Sequence, residues 1–186
     1  IRTCNVCGYK ETRNNGKKLA ATMKVNAVKL PLKIKQKTTV LKVSGLANGD
    51  SVASWKSGNT KVVKVSGKPN GTCTLAAGRK KGKTTITIIL KSGLKKKITI
   101  TVQKAAVKTS KITGMPKNLK LKKNQTVTLK AAAAPLTSLQ KLKYKSSNKK
   151  IVTVTSKGVI KAKKKGKAVI TVQSGSKTVK CKVTVK

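Results

Sequence analysis

Histidine and phenylalanine are absent from the chain, and Glu11 and Asp50 are its only carboxylic side chains. Without His, and with two acids far apart in sequence, neither a paired-carboxylate acid–base site nor a Ser-His-Asp or Cys-His arrangement can be assembled. A Lys nucleophile would need a desolvated pocket that lowers its pKa, and nothing marks one Lys out from the others. The chain is therefore expected not to be an enzyme. With one Trp and two Tyr, it also lacks the aromatic platforms on which readers of single-stranded nucleic acid stack bases. No apolar run is long enough to span a membrane, and no segment reads as a strong amphipathic helix. Asn48-Gly49-Asp50 is a turn signal. A single Asp falls far short of the cluster of hard oxygen ligands that Ca²⁺ requires.

Positive charge dominates what is present. Forty-six of the 186 residues are Lys or Arg against two acids, a formal net charge of +44. Such a chain repels itself and attracts any polyanion within reach. Only Arg2, Arg13 and Arg79 are arginine. The remaining cations are lysines, hydrated point charges without the planar fork suited to bidentate recognition. That bias favours attraction to a polymer over reading of a sequence. DNA would bind through its phosphates, with a steep salt dependence and without specificity.

The chain is nonetheless 37% hydrophobic, too apolar for the disorder that charge alone would suggest. The segments 84–90, 96–102, 127–133, 151–156, 168–173 and 180–186 alternate β-branched residues with Thr, Ser and Lys. Period-two alternation buries one face of a strand and wets the other. The fold class is all-β.

Four cysteines occur. Cys4 and Cys7 form a CxxC, the spacing of one zinc knuckle, in which two thiolates take two of four tetrahedral positions. The chain has no second CxxC and no His. The second pair of ligands lies before Ile1, or the motif is a reduced remnant or a local disulfide; zinc at Cys4 and Cys7 requires ligands outside this chain, and no other cofactor is expected. Cys73 and Cys181 sit in strand-like segments, where a lone Cys acts as a small buried hydrophobe. The chain begins at Ile1 without a recognisable leader, and reads as the C-terminal part of a longer protein.

The decisive organisational feature is an internal duplication. WKSGNTKVVKVSG (55–67) matches YKSSNKKIVTVTSKG (144–158), with Trp55 on Tyr144, Ser57 on Ser146, Asn59 on Asn148, Val63 on Val152 and Val65 on Val154. RKKGKTTITI (79–88) matches KKKGKAVITV (163–172), with Gly82 on Gly166, and LKIKQKTTVLKV (32–43) matches LKLKKNQTVTLKA (119–131). Short strands separated by turn residues in two units of this size are the pattern of antiparallel sandwiches. The expected organisation is a Cys-pair tail over 1–24, a first domain over 25–104 and a second over 105–186, joined through 105–111.

The run of W/Y-K-S-x-N, then V-x-V, a turn Gly, G-K-A-x-I-T-V and a final V-T-V strand resembles the group-2 bacterial immunoglobulin-like domain, and the resemblance recurs in both copies. Copy 1 departs from it at KPNGTCTLAAG (68–78), which lengthens the step after the turn. The resemblance implies two tandem immunoglobulin-like β-sandwiches of a secreted bacterial protein at the cell surface or wall, serving as spacer, adhesin segment or binding module. It implies no catalysis.

Trp55 and Tyr144 occupy the same repeat position, where a large aromatic plugs a sandwich core rather than stacking on sugar. The Ser-x-Asn after each makes a turn, because Asn side chains hydrogen-bond their own backbone. RKKGK (79–83) and KKKGK (163–167) read as hairpin turns in which Gly supplies φ > 0. The cations crowded around those glycines cost stability unless counterions or a polyanion neutralise them. Arg79, Lys80, Lys81, Lys83, Lys163, Lys164, Lys165 and Lys167, together with Lys95, Lys96 and Lys97, are the expected polyanion-binding surface. The expected partner is an anionic wall polymer such as teichoic acid, or a host sulfated or sialylated glycan, with non-specific nucleic acid as a weaker one. Alternative readings are a stalk or filament block that self-assembles without a polymer ligand, and accessory domains of a larger wall-active enzyme.

Overall fold

The computed structural model describes residues 2–3, 10–11 and 20–186. Its secondary structure consists of strands. Near the N-terminus, β1 (Arg2–Thr3) pairs antiparallel with β2 (Lys10–Glu11). The first sandwich holds β3 (Lys24–Val25), β4 (Lys29–Lys33), β5 (Lys37–Thr38), β6 (Val43–Ser44), β7 (Val52–Ser57), β8 (Val63–Gly67), β9 (Cys73–Ala77), β10 (Gly82–Leu90) and β11 (Lys95–Gln103). The second holds β12 (Lys111–Thr113), β13 (Asn118–Leu121), β14 (Thr126–Thr128), β15 (Ala132–Ala134), β16 (Lys143–Ser146), β17 (Val152–Val154), β18 (Val159–Ala162), β19 (Gly166–Ser174) and β20 (Lys177–Val185).

The two units repeat one topology. A four-stranded sheet in the order β4-β11-β10-β7 faces a three-stranded sheet β5-β9-β8, and the second unit has β13-β20-β19-β16 facing β14-β18-β17. In each, the opening strand runs parallel to the closing one, β4 with β11 and β13 with β20, and the remaining pairs are antiparallel. This is an all-β, immunoglobulin-like sandwich in duplicate.

Alternation explains the burial. Ile86, Ile88 and Leu90 of β10 and Ile98, Ile100 and Val102 of β11 point inward and are fully or nearly fully buried, with Thr, Lys and Ile89 between them on the other face. Burying each such side chain contributes about 1.5–3 kcal/mol. Two separate hydrophobic clusters result, one running from Met23 to Val102 and one from Ile112 to Val185.

The sequence predicts one strand over 127–133, and the structure divides it. Thr126–Thr128 pairs with β18, while Ala132–Ala134 leaves that sheet to pair with Lys111–Thr113. Leu129 in the bend is buried, and its N–H donates to the carbonyl of Gly158. Gly114, at φ +75°, lies against the Lys130 carbonyl, where a Cβ would not fit.

The segment 105–111 is packed rather than loose. Val107 and Thr109 are buried, and Thr109 Oγ1 lies 2.9 Å from Ser138 Oγ and 2.7 Å from Ser174 Oγ. The Thr109 N–H donates to Gln140 Oε1 at 2.7 Å. Across the junction, Gln36 Nε2 donates to the carbonyl of Thr137 at 3.0 Å.

Candidate polyanion-binding surface

Both basic glycine segments run from the three-stranded to the four-stranded sheet of their own unit, from β9 to β10 and from β18 to β19. They are therefore arches over one end of a sandwich, not hairpin turns within a sheet. Of the two glycines expected to supply φ > 0, Gly166 does so and Gly82 does not. Gly82 has an ordinary backbone conformation, and a Cβ there would meet Val62 Cγ2 at 3.0 Å. At the equivalent Gly166, φ is +146° and a Cβ would meet Ile151 Cδ1 at 2.8 Å. Close approach to an aliphatic residue at the same repeat position is common to both glycines, and Gly166 has a positive φ besides.

Each arch is fastened to an Asn-centred turn at the same end. Asn59 Oδ1 accepts from the backbone N–H groups of Lys61 at 3.0 Å and Val62 at 3.3 Å. Asn148 Oδ1 accepts from Lys150 N–H at 2.9 Å. The residue after each turn supplies the arch's anchor: Gly78 N–H donates to the Val62 carbonyl at 2.8 Å, and Lys163 N–H to the Ile151 carbonyl at 2.7 Å. Lys61 and Lys64 thereby join Arg79, Lys80 and Lys81 around an open groove of about 650 Å³. In the second sandwich, Lys149 and Lys150 directly precede the Ile151 that holds Lys163. Arg79, Lys80, Lys81, Lys83, Lys163, Lys164, Lys165 and Lys167 are all exposed.

Sequence reasoning missed Lys61, Lys64, Lys149 and Lys150. The Asn-x-Lys of each turn was the available signal, since an Asn that closes a turn fixes the direction of the residues after it.

Lys95, Lys96 and Lys97 do not join the arches. Lys95 pairs with Ile89 and Lys97 with Thr87, whereas Lys83 at the arch pairs with Thr101. From Lys83 to Thr87 is about 13 Å along the strand. Lys96, moreover, has the inward parity, is half-buried, and its Nζ donates to the Met23 carbonyl at 3.4 Å. The expected single basic surface is thus at least two separate regions in the first sandwich.

Trp55 and Tyr144 are half-buried against their cores, each opposite a fully buried valine or isoleucine, Ile88 and Val172. The Trp55 ring lies on Gly67, and the Tyr144 ring end on Gly158, so each aromatic rests on a glycine of the facing strand region. Trp55 Nε1 donates to the Lys68 carbonyl at 3.4 Å. Burial raises the Tyr144 phenol above its ordinary pKa. Both rings close the rim of a sandwich.

Asp50 spends its carboxylate on structure. Oδ2 accepts from Ser92 Oγ at 2.6 Å and Oδ1 from Ser51 N–H at 2.9 Å, and the Ser92 hydroxyl is the main reason its pKa falls below the usual value. Cys73 and Cys181 are buried free thiols. Burial pushes Cys73 up to about 11 and raises Cys181 as well. Cys4 and Cys7 lie outside the described residues, and among the described residues no cluster of three metal-ligating side chains forms.

Residues 106–185 match the bacterial Ig-like domain (group 2) family. The second sandwich belongs to that family. It is a non-catalytic domain type, and the first sandwich repeats its topology and motifs. A stretch of 66 residues is 44% identical to the kappa-carrageenase of Pseudoalteromonas carrageenovora, covering 35% of this chain and 17% of that protein. The chain therefore spans less than a fifth of this relative. Among solved structures, domains 5–6 of the S-layer protein SbsC are 20% identical with a TM-score of 0.43, over 89% of this chain and 97% of that one. Domains 4 and 5 of the same protein give 18% identity and a TM-score of 0.41, over 89% and 98%. Extracellular cadherin domains 1–4 of protocadherin gamma B7 give 13% and 0.36, over 90% and 51%.

Proposed function

We propose that the tandem sandwiches are a non-catalytic module of a secreted bacterial surface protein, which attaches or spaces its parent at the cell wall by binding anionic polymers. The observation that carries this reading is the repeated basic end. In each copy an arch of three or more cations is fastened beside a turn that adds further lysines, and neither end contains an acid. Each Lys–phosphate contact contributes little. Affinity comes from the number of contacts and from released counterions. The packed 105–111 segment and the Gln36–Thr137 hydrogen bond suit a spacer that keeps two such ends in register along one polymer. Teichoic acid, rich in phosphate and part of the Gram-positive wall, is the nearest polymer of this chemistry.

The test is sedimentation of the chain with purified Gram-positive walls, before and after removal of teichoic acid, at physiological salt with free DNA as competitor. Binding that is lost on stripping and survives DNA supports wall attachment. Binding unaffected by stripping, or abolished equally by any polyanion, contradicts it and leaves a stalk or filament block in its place.

A second reading, accessory domains of a larger polysaccharide-active enzyme, is favoured by the match to a kappa-carrageenase segment. It predicts stronger binding to kappa-carrageenan than to teichoic acid in the same assay.

A further inference from the structure

We infer that the outward face of each four-stranded sheet, rather than the arch, is the principal contact surface for an extended polymer bearing anionic esters. This rests on the polyanion-binding reading above and moves its main site. The first observation is that the larger face of each sandwich carries most of its strand lysines. On the four-stranded sheet of the first unit, Lys29, Lys33, Lys56, Lys83, Lys95 and Lys97 all point outward and are exposed; the opposite three-stranded side presents Lys37, Lys64 and, bridged to Thr72, Lys42. In the second unit Lys120, Lys143, Lys145, Lys167, Lys180 and Lys182 stand on the four-stranded face, against Lys161 alone on the other. The larger face thus offers six strand lysines in each copy, a broader cationic area than the smaller one.

The second observation is register. Thr87 lies directly between Lys56 and Lys97 on its neighbouring strands, and Thr171 lies directly between Lys145 and Lys180. These two Lys-Thr-Lys rows occupy equivalent places in the two copies, although the loops between them differ in length. A further row, Lys167-Thr184-Lys120, completes the second sheet, where the first has Lys83-Thr101-Pro31. The cations of one row stand two strand spacings apart, roughly 10 Å. The Thr hydroxyl between them can donate and accept. Such a row offers an extended chain two cationic contacts, with only a short hydroxyl side chain, Thr87 or Thr171, standing between them. Asp50, the one acid of residues 20–186, does not neutralise these lysines, because Ser51 and Ser92 engage it.

The experiment compares two variants of the whole chain that lose the same charge. One carries Lys56→Gln, Lys97→Gln, Lys145→Gln and Lys180→Gln; the other carries Arg79→Gln, Lys81→Gln, Lys163→Gln and Lys165→Gln. Affinity for purified wall teichoic acid and for kappa-carrageenan is measured over a salt series, the first probing phosphate and the second sulfate esters, with melting temperature as the check on folding. The expected result is that the sheet variant flattens the slope of log affinity against log salt by about 3, that the arch variant flattens it less, and that both melt no lower than the parent. Equal loss in the two variants, or greater loss in the arch variant, overturns the assignment to the sheet face while leaving polyanion binding intact. Failure of the parent chain to bind either polymer overturns both.

Discussion

Single residues decide whether the repeated ends keep their shape. Gly166 combines a φ of +146° with a close neighbour in Ile151, while Gly82 has only the contact with Val62. Replacing Gly166 by Ala is expected to destabilise the second sandwich by about 1–3 kcal/mol, and Gly82→Ala the first by less than about 1 kcal/mol. Hydrogen exchange along β19 and β10 in the two variants checks the order, and equal effects would remove the explanation. Cys73 gives a second readout at this scale. Its thiol is pushed up from 9.0 to about 11 by burial, so the fold favours the protonated form. The sign follows: the stabilisation is fully present below about pH 9 and is lost as pH rises through about 11. Alkylation of Cys73 in the native chain should accordingly be slow at about pH 8.5 and fast once the chain is unfolded. Rapid native labelling would contradict the burial.

Turns and strands were unequally legible. The match of 32–43 with 119–131 set Leu32 on Leu119, two residues out of step with the structure, in which the turn after Lys33 corresponds to the turn after Lys122. Lys35 and Asn124 both adopt a left-handed conformation, at φ 62° and 67°, in turns where Gln36 and Gln125 accept from Lys33 and Lys122 N–H. Asn adopts that conformation at less cost than Lys. Lys35→Asn is thus expected to stabilise the first sandwich by about 0.5–1 kcal/mol, seen as a higher urea midpoint at unchanged slope; a lower midpoint would mean that Lys35 makes a contact worth more than the strain. The alternating strands could be read because burial of one face is written locally. Partner choice could not. Nothing within 127–133 says that its second half leaves for β12, and nothing within 79–83 says that it joins two sheets. Lys96 was readable after all: counting back by twos from Ile100 and Ile98 turns it inward. The rows across β7, β10 and β11 lay beyond reach, because register depends on three segments at once.

Across the whole molecule the governing quantity is net charge. At +44, self-repulsion should be partly relieved by salt, since the Debye length falls from about 30 Å at 0.01 M to about 10 Å at 0.1 M. The melting temperature is expected to rise over that range, and a flat or falling trend would show that the lysines are spaced widely enough not to matter. On the proposed function, the same charge on repeated faces and ends distinguishes a polymer-binding module from a mere spacer. Affinity of the whole chain for purified wall teichoic acid, measured against salt, tests that most directly. Multivalent ion release predicts a straight fall of log affinity with log salt at a slope of about −4 or steeper. A slope near zero, or no binding at low salt, would contradict it.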